Sequence, residues 1–294
     1  HGPVHTTSLR NAAAVKGANY VGGLYGFAKL QNTLDNGSNS GTIQGKDHVG
    51  GLVGKVVDHN VSGSLTSPVI INSFNSGSVS AQSHTGGIAG TNEINIKSCY
   101  NTGNISATWA DTGGIAGQTV YTLNNKIEQC YNTGRINGED EVGGLVGYNR
   151  IVLLHSYNRG SISGRDDIGG VTGRSGTRNA NVSNCYNVGS VYGSISGGVV
   201  GYLQEGPLVN CYNTGNVTGN YSVGGSFGNH KGVNNTAKNV RHKSGISIKG
   251  PSIIPSVSYT RFSEFYSSIQ HVTNTLWNGN GTLNHVGGTQ DAQN

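Results

Sequence analysis

The apolar residues of this chain lie in short β-type runs that are separated by glycine and asparagine. Typical runs read Gly-Asn-Val-x-Gly and Gly-Gly-Leu-Val-Gly, and no window keeps the 3.6-residue apolar period of a helix over ten residues. One such run has too few apolar side chains to bury a core by itself. The pattern therefore predicts many short strands that become stable by stacking on one another.

A glycine pair with an apolar-x-Gly tail repeats about every 28 residues. The eight copies begin at Gly22, Gly50, Gly86, Gly113, Gly143, Gly169, Gly197 and Gly224. Stacked repeats bury a continuous core, with successive coils about 4.8 Å apart. We predict an all-β fold, a parallel β-helix (β-solenoid) of about eight coils at residues 11–229. A lead-in at 1–10 would precede it, and a non-repeat C-terminal cap or subunit-docking region at 230–294 would follow. The single 36-residue interval predicts an inserted loop near Asp58–Ser67.

A second motif precedes seven of the eight glycine pairs, and its clearest copy is Cys211-Tyr212-Asn213-Thr214-Gly215. Stacked asparagines can hydrogen-bond amide to amide from coil to coil. We predict this structural ladder at Asn75, Asn101, Asn132, Asn158, Asn187 and Asn213, with Asn11 and Asn39 at the same position. The aromatic residue before each asparagine should stack as well, at Phe74, Tyr100, Tyr131, Tyr157, Tyr186 and Tyr212. If this aromatic row faced solvent, it could instead serve as a platform for sugars.

The four cysteines fall at one position of the repeat. Cys99 and Cys130 occupy adjacent coils, as do Cys185 and Cys211. A coil spacing of about 4.8 Å lies within the disulfide range, so two inter-coil disulfides are geometrically allowed. The alternative is a row of small inward-facing thiols.

A further row lies two residues before each glycine pair. It contains Tyr20, His48, His84, Asp111, Glu141, Asp167, Ile195 and Ser222. Stacked carboxylates repel one another unless a cation or a basic group lies between them, and Arg135, Arg159 and Arg165 belong to the same coils. Three interpretations follow: a solvated charged edge, a Ca²⁺ site at Asp140, Glu141, Asp166 and Asp167, or a catalytic groove. The last rests only on the analogy with β-helical polysaccharide lyases.

The repeats resemble the GLUG repeat, a bacterial extracellular module named after its Gly-Leu-x-Gly tail. The tail reads Gly51-Leu52-Val53-Gly54 and Gly144-Leu145-Val146-Gly147 here, whereas Ile-Ala replaces Leu-Val at Gly86–Gly90 and Gly113–Gly117. The Cys-Tyr-Asn-x-Gly part matches too. The resemblance covers eight repeats and implies an extracellular or cell-surface location, as in adhesin-like proteins and some IgA-cleaving metallopeptidases. It does not imply the peptidase activity, because the sequence has no His-Glu-x-x-His motif.

Composition narrows the functional classes. The 294 residues include 49 glycines and only 5 prolines, without a glycine at every third position, which argues against helical bundles and collagen. Charged residues make up 11% and the net charge is +5, which is too sparse for a nucleic-acid groove. No apolar run approaches the roughly 18 residues of a transmembrane helix. We therefore expect no nucleic-acid partner and no membrane span. A chain without methionine that begins at His1 also fits the removal of a signal peptide.

These observations favour a non-enzymatic extracellular protein with a structural or adhesive role, in which self-association builds a head-to-tail surface fibre. No catalytic residue and no cofactor other than Ca²⁺ is expected. The alternative is a polysaccharide-binding or polysaccharide-lyase β-helix that uses the acidic and arginine ladder. A host or matrix glycan is an expected partner in either case.

Overall fold

The computed structural model describes residues 6–30, 33–58, 68–122, 124–230, 237–243, 248–249, 252–254 and 257–259. These residues form strands and turns and contain no helix. Every described strand pair is parallel, and the strands join into sheets along a rod of about eight coils. The predicted β-solenoid is therefore confirmed. The inserted loop predicted near Asp58–Ser67 falls largely on residues 59–67, outside the described residues.

Each coil contributes one strand or two to each of four sheets, which we number in chain order. Sheet 1 has 17 strands in two columns. The first column contains Thr6–Thr7, Leu34–Asp35, Val69–Ile71, Asn95–Lys97, Lys126–Glu128, Val152–Leu154 and Val182–Ser183. The second contains Arg10–Asn11, Ser38–Asn39, Phe74–Asn75, Tyr100–Asn101, Tyr131–Asn132, Tyr157–Asn158, Tyr186–Asn187 and Val257–Tyr259. Leu208–Asn213 and Ala237–Lys243 each run through both columns.

Sheet 2 has nine strands: Val15–Lys16, Ile43–Gln44, Val79–Ala81, Ile105–Ala107, Ile136–Asn137, Ile162–Ser163, Val191–Tyr192, Val217–Thr218 and Ile248–Lys249. Sheet 3 has nine: Asn19–Gly22, Asp47–Gly50, Thr85–Gly86, Ala110–Gly113, Asp140–Gly143, Asp166–Gly169, Ile195–Gly197, Ser222–Gly224 and Ser252–Ile254. Sheet 4 has eight: Tyr25–Leu30, Val53–Asp58, Ala89–Asn92, Ala116–Thr119, Val146–Asn149, Thr172–Gly176, Val200–Glu205 and Phe227–His230.

The asparagine ladder lies inside the rod, and its prediction is confirmed. The side-chain amide of each asparagine donates to the amide oxygen of the asparagine one coil further, over 2.7–2.8 Å, from Asn11 to Asn213. The same amide also donates to the carbonyl two residues later, as Asn132 does to Gly134 at 2.8 Å. From Asn39 onward these side chains are fully buried. The ladder therefore satisfies its own polar groups where water cannot.

The ladder and the backbone of the next coil together explain why the second residue of each glycine pair is glycine, since a Cβ on Gly51 would also collide with the carbonyl oxygen of Gly87. A Cβ on Gly51 would come within 2.5 Å of Asn75 Cγ, and one on Gly87 would come within 2.6 Å of Asn101 Cγ. These are closer approaches than any real Cβ makes, so the glycine of one coil leaves room for the amide of the next. The two sequence motifs thus meet inside the rod and depend on each other.

This contact divides the interior into two apolar columns. Sheets 2 and 3 enclose one column, which includes Ile43, Val49 and Val142. Sheets 1 and 4 enclose the other, which includes Leu52, Ile88 and the four cysteines. The row of amides lies between the two columns because it connects the end of sheet 1 to the turn between sheets 3 and 4.

The cysteines are buried free thiols, and the inter-coil disulfides that the spacing allows are not formed. The Cys99 and Cys130 thiols each donate to the carbonyl two residues earlier, at 3.2 Å. Burial raises the pKa of the Cys130 and Cys185 thiols. The alternative of an inward-facing row of thiols describes this structure.

The aromatic row stacks as predicted. Ring centroids from Phe74 to Tyr186 lie 4.9–5.1 Å apart, with planes within 6° of parallel. Tyr157, Tyr186 and Tyr212 are buried. Phe74, Tyr100 and Tyr131 are partly exposed, but these rings cover one another's faces, so the row offers no open ring face on which a sugar could stack.

The rod extends past both predicted boundaries. At its start, Thr6–Thr7 and Arg10–Asn11 already pair with the second coil. At its end, Ala237–Lys243 pairs with Leu208–Asn213, and His242 takes the register position of the next asparagine. Residues 260–294 lie outside the described residues, and the role of 230–294 as a cap or docking region stays a prediction.

Replacement of one ladder asparagine tests the role of the amides. Asn132→Ala leaves the amide of Asn101 and the N–H of Gly134 without the oxygen that they share. We expect a loss of about 2–4 kcal/mol in the free energy of unfolding, measured by urea denaturation. The control is Thr133→Ala at the exposed neighbouring position, where a change within about 0.5 kcal/mol is expected. Equal stability of the two variants would contradict a structural role for the ladder.

Thiol titration tests the state of the cysteines. The native protein should react slowly with a soluble disulfide reagent because all four thiols are buried. After denaturation in guanidinium without reductant, four thiols per chain should react. A parallel sample is denatured with reductant, and the reductant is then removed. The number of thiols that react in this sample gives the total number of cysteines per chain. A lower count in the unreduced sample would mean that disulfides form.

Candidate functional site

Five titratable side chains with a shifted pKa lie in one row at the corner between sheets 3 and 4. We call this row the polar file; it consists of Tyr20, His48, His84, Asp111, Glu141 and Asp167. All six residues have a left-handed backbone, with φ between 47° and 59°. This uncommon conformation bends the strand and turns the side chain toward sheet 4. Accordingly, His48 Nδ1 lies 2.7 Å from Thr91 Oγ1 on that sheet.

The first half of the polar file is a stack of rings. Tyr20 and His48 stack at 5.0 Å between centroids, and His48 and His84 at 4.6 Å. Asp47 accepts a hydrogen bond from His84 Nδ1, and Asp111 Oδ2 lies 3.2 Å from His84 Nε2. Burial lowers the pKa of His84, but the two carboxylates outweigh it, so the net shift is upward. His84 is therefore set up to act as an imidazolium between two acids.

The second half is a chain of acids that ends on an arginine. Burial, followed by a hydrogen bond with Asp111, raises the pKa of Glu141 to about 8. Burial opposes ionisation of Asp111, yet hydrogen bonds with His84 and Glu141 lower its pKa. At neutral pH, Glu141 is thus protonated and donates to the Asp111 carboxylate.

Arg174 on sheet 4 closes this chain. Its Nη1 donates to Glu141 Oε1 at 2.9 Å and lies 3.9 Å from Asp167 Oδ2. Burial raises the pKa of Asp167 to about 6, against the opposing effect of Arg174. The stacked acids of the polar file are therefore accommodated by one shared proton and one arginine.

The structure does not bring together the four residues of the predicted Ca²⁺ site. Asp140 and Asp166 contact Arg165, at 2.8 and 3.5 Å, whereas Glu141 and Asp167 turn toward Arg174. The left-handed backbone at the second residue of each pair separates the two directions. The carboxylates form two groups, and each group contacts its own arginine. These arginines supply the positive charge that a bound Ca²⁺ ion would supply.

The three-residue group with metal-ligand chemistry in the described residues is Asp47, His48 and His84, whose candidate ligand atoms lie within 4.8 Å of one another. A metal ion binds near the plane of each imidazole ligand. The two rings are only 11° from parallel and lie 4.6 Å apart, so one ring would have to rotate before both could bind one ion. As it stands, the group is a hydrogen-bonded cluster.

Sequence reasoning identified the polar file but missed the partners on sheet 4. Thr91 and Arg174 each stand five residues after the first glycine of a pair, as do Gln118 and Tyr148. That constant offset is a signal that could have identified this row. Arg165 makes ion pairs with the acids, as the sequence suggested, but Arg174 contacts the buried ones.

Comparison of the chain with protein-family models, curated proteins and solved structures found no match. In the described part of the chain, a helix suited to crossing a membrane is not found.

The pKa of Glu141 predicts a pH dependence of stability. A carboxyl whose pKa rises on folding binds more protons in the native state, so stability falls as pH rises from about 5 to about 8. His84 and Asp167, whose pKa values also rise on folding, act in the same direction. Glu141→Gln keeps a donor for Asp111 and removes the titration. We expect this variant to lose less stability between about pH 6 and pH 8, by about 1 kcal/mol or more.

Urea denaturation of the variant at several pH values measures this effect. Glu139→Gln is the control, because Glu139 lies at the adjacent turn with 41% of its side chain exposed. A wild-type profile that matches Glu141→Gln across this range would contradict the shared proton.

Proposed function

We propose that this chain is a non-enzymatic extracellular protein with a structural or adhesive role, which assembles head to tail into a surface fibre. The observation that carries the proposal is the first coil. Its strands pair with the second coil and, in the described residues, present their other edge unpaired. Open parallel edges are templates for the strands of another chain.

The side chains of the first coil support assembly at this end. Leu9, Val15, Leu24 and Leu30 point into the rod but are only partly buried. Their counterparts in later coils are enclosed: Leu52, at the position of Leu24, is fully buried. A coil of a second chain placed against this end would bury these apolar side chains and extend both apolar columns. Contacts of this kind repeat without closing into a ring, and they produce a filament.

The polar file supports a non-enzymatic role. Its shifted groups contact one another: a hydrogen bond with Asp111 helps raise the pKa of Glu141, and Arg174 donates to Glu141 and Gln204. Among the described residues, one buried oxygen of this network, Asp111 Oδ1, has no hydrogen-bond partner. Asp111 is 5% exposed. Such a network stabilises a bend that the first six coils repeat. The side chains of Glu141 and Asp167 are only 17% and 13% exposed, which limits their access to a substrate.

The extracellular location rests on the resemblance to GLUG repeats and on the chain's sparse charge, 11% of residues. A rod whose cross-section is the same from coil to coil suits a stalk or fibre that extends outward from the cell surface.

Blocking the open edge tests the assembly. Leu9 and Asn11 carbonyls accept hydrogen bonds from the second coil, so the N–H of Arg10, between them, points to the open side. Arg10→Pro removes this donor without breaking a bond to the second coil. We expect the wild type to form filaments in electron micrographs at high concentration and Arg10→Pro to form few or none.

Arg10→Ala is the matched control and should assemble like the wild type. Sedimentation at rising concentration and thermal unfolding of all three proteins distinguish loss of assembly from loss of folding. A wild type that stays monomeric at every concentration would rule out the fibre.

A further inference from the structure

A shallow groove follows the corner between sheets 2 and 3, on a different edge of the rod from the polar file. The backbone here lies close to the core, because a Cβ on Gly45 would come within 2.5 Å of Val49 Cγ2 and one on Gly138 within 2.7 Å of Val142 Cγ2. The inward course of the chain leaves the outer surface concave. We call this surface the corner groove.

The corner groove contains two hollows. The first has a volume of about 380 Å³, and its polar lining is Lys16, Gln44, Lys46, Ser80, Gln82 and Thr108. The second has a volume of about 450 Å³, and its larger lining side chains are Asn137, Glu139, Ser163, Arg165 and Tyr192. Both are open to solvent.

Thr108 lines both hollows, and Trp109 follows it in the chain at the edge of the groove. The backbone N–H of Trp109 donates to the backbone carbonyl of Gln82, and its backbone carbonyl accepts from the backbone N–H of Glu139. The side chain is 61% exposed, and Tyr192 in the second hollow is 58% exposed. Exposed aromatic rings at a concave polar surface provide flat apolar faces, against which the C–H groups of a sugar ring can pack while its hydroxyls bond to neighbouring side chains.

Charge distinguishes the two hollows. Lys16 and Lys46 contribute two positive charges to the first hollow, and no carboxylate is among the described residues that line it. In the second hollow Arg165 lies 3.5 Å from Glu139 and also pairs with Asp140 and Asp166, at 2.8 and 3.5 Å, so its positive charge is already neutralised there. The first hollow therefore favours an anionic group, and the second favours hydroxyls.

The spacing along the groove also fits a polymer of sugars. Equivalent backbone positions recur once per coil, about every 4.8 Å, which is close to the repeat of a pyranose chain. From Lys16 in the first coil to Tyr192 in the seventh, the groove covers six coil spacings, about 29 Å. Successive sugars could thus meet equivalent backbone positions on successive coils.

We propose that the corner groove binds an acidic oligosaccharide, with Trp109 packed on a sugar ring and Lys16 and Lys46 bound to its carboxylate or sulfate groups. This inference rests on the adhesive part of the proposed function and gives its ligand class. It requires neither the fibre nor the open edge, since all the groove residues lie on the side of the rod.

Calorimetric titration at concentrations where the protein is monomeric tests the proposal. The probes are hexasaccharides of galacturonate and of heparin, a neutral maltohexaose, and hexaglutamate as an anion without sugar rings. We expect one or both acidic hexasaccharides to bind, and maltohexaose and hexaglutamate to bind at least about tenfold more weakly. Salt should weaken the acidic sugars because ion pairs are screened.

Three variants locate the site. Trp109→Ala should weaken binding about tenfold, and Lys16→Ala with Lys46→Ala should weaken it and flatten its salt dependence. Tyr121→Ala is the matched control: this ring is 44% exposed but lies at the turn between sheets 4 and 1, so binding should not change. Circular dichroism checks that each variant is folded, which is expected because the side chains are exposed.

Absence of wild-type binding to both acidic hexasaccharides would overturn the proposal. Equal affinity for hexaglutamate would show a surface for polyanions in general, and an unaffected Trp109→Ala variant would exclude the groove; either result overturns it as well. Arg10→Pro separates this proposal from the previous one, because it should bind the sugar like the wild type whether or not filaments form.

Discussion

The buried amide ladder is the interaction on which the other features of this rod depend. An asparagine inside a protein must have its donors and its acceptor satisfied, and here the partner is the same residue one coil away. That demand fixes the register of every coil. It also helps to exclude a side chain from the second glycine of each pair, because Asn75 and the Gly87 carbonyl occupy the space beside Gly51. A repeat that lacks either motif therefore disturbs its neighbour as well as itself.

Once the register is fixed, like residues must lie over like, whether or not they attract one another. This suits aromatic rings and branched aliphatic side chains, which stack at the spacing of the coils. It does not suit carboxylates. In the polar file the repulsion between stacked acids is relieved in three ways. Asp111 stays charged beside His84, Glu141 keeps a proton, and Arg174 lies beside Asp167. Its unusual pKa values are a consequence of repetition.

The regular parts of this fold could be predicted from the sequence, because the glycine and asparagine motifs recur at a nearly constant interval. The contacts across a turn could not. Glu141 follows Asp140 directly, yet the left-handed backbone at Glu141 sends the two side chains to different arginines, so adjacency in sequence suggested a shared site that does not form. The ends were misplaced for a related reason: backbone pairing continues at Ile248–Lys249 without the side-chain motif that marks a repeat.

The direction of the hydrogen bonds has a mechanical consequence. In a parallel solenoid they run along the long axis, so tension on the two ends loads all four sheets between one coil and the next at the same time. When such a junction gives way, the freed coil of about 28 residues can lengthen by about 90 Å, while the remaining coils keep their ladder. A tether built in this way absorbs a sudden load step by step and remains attached.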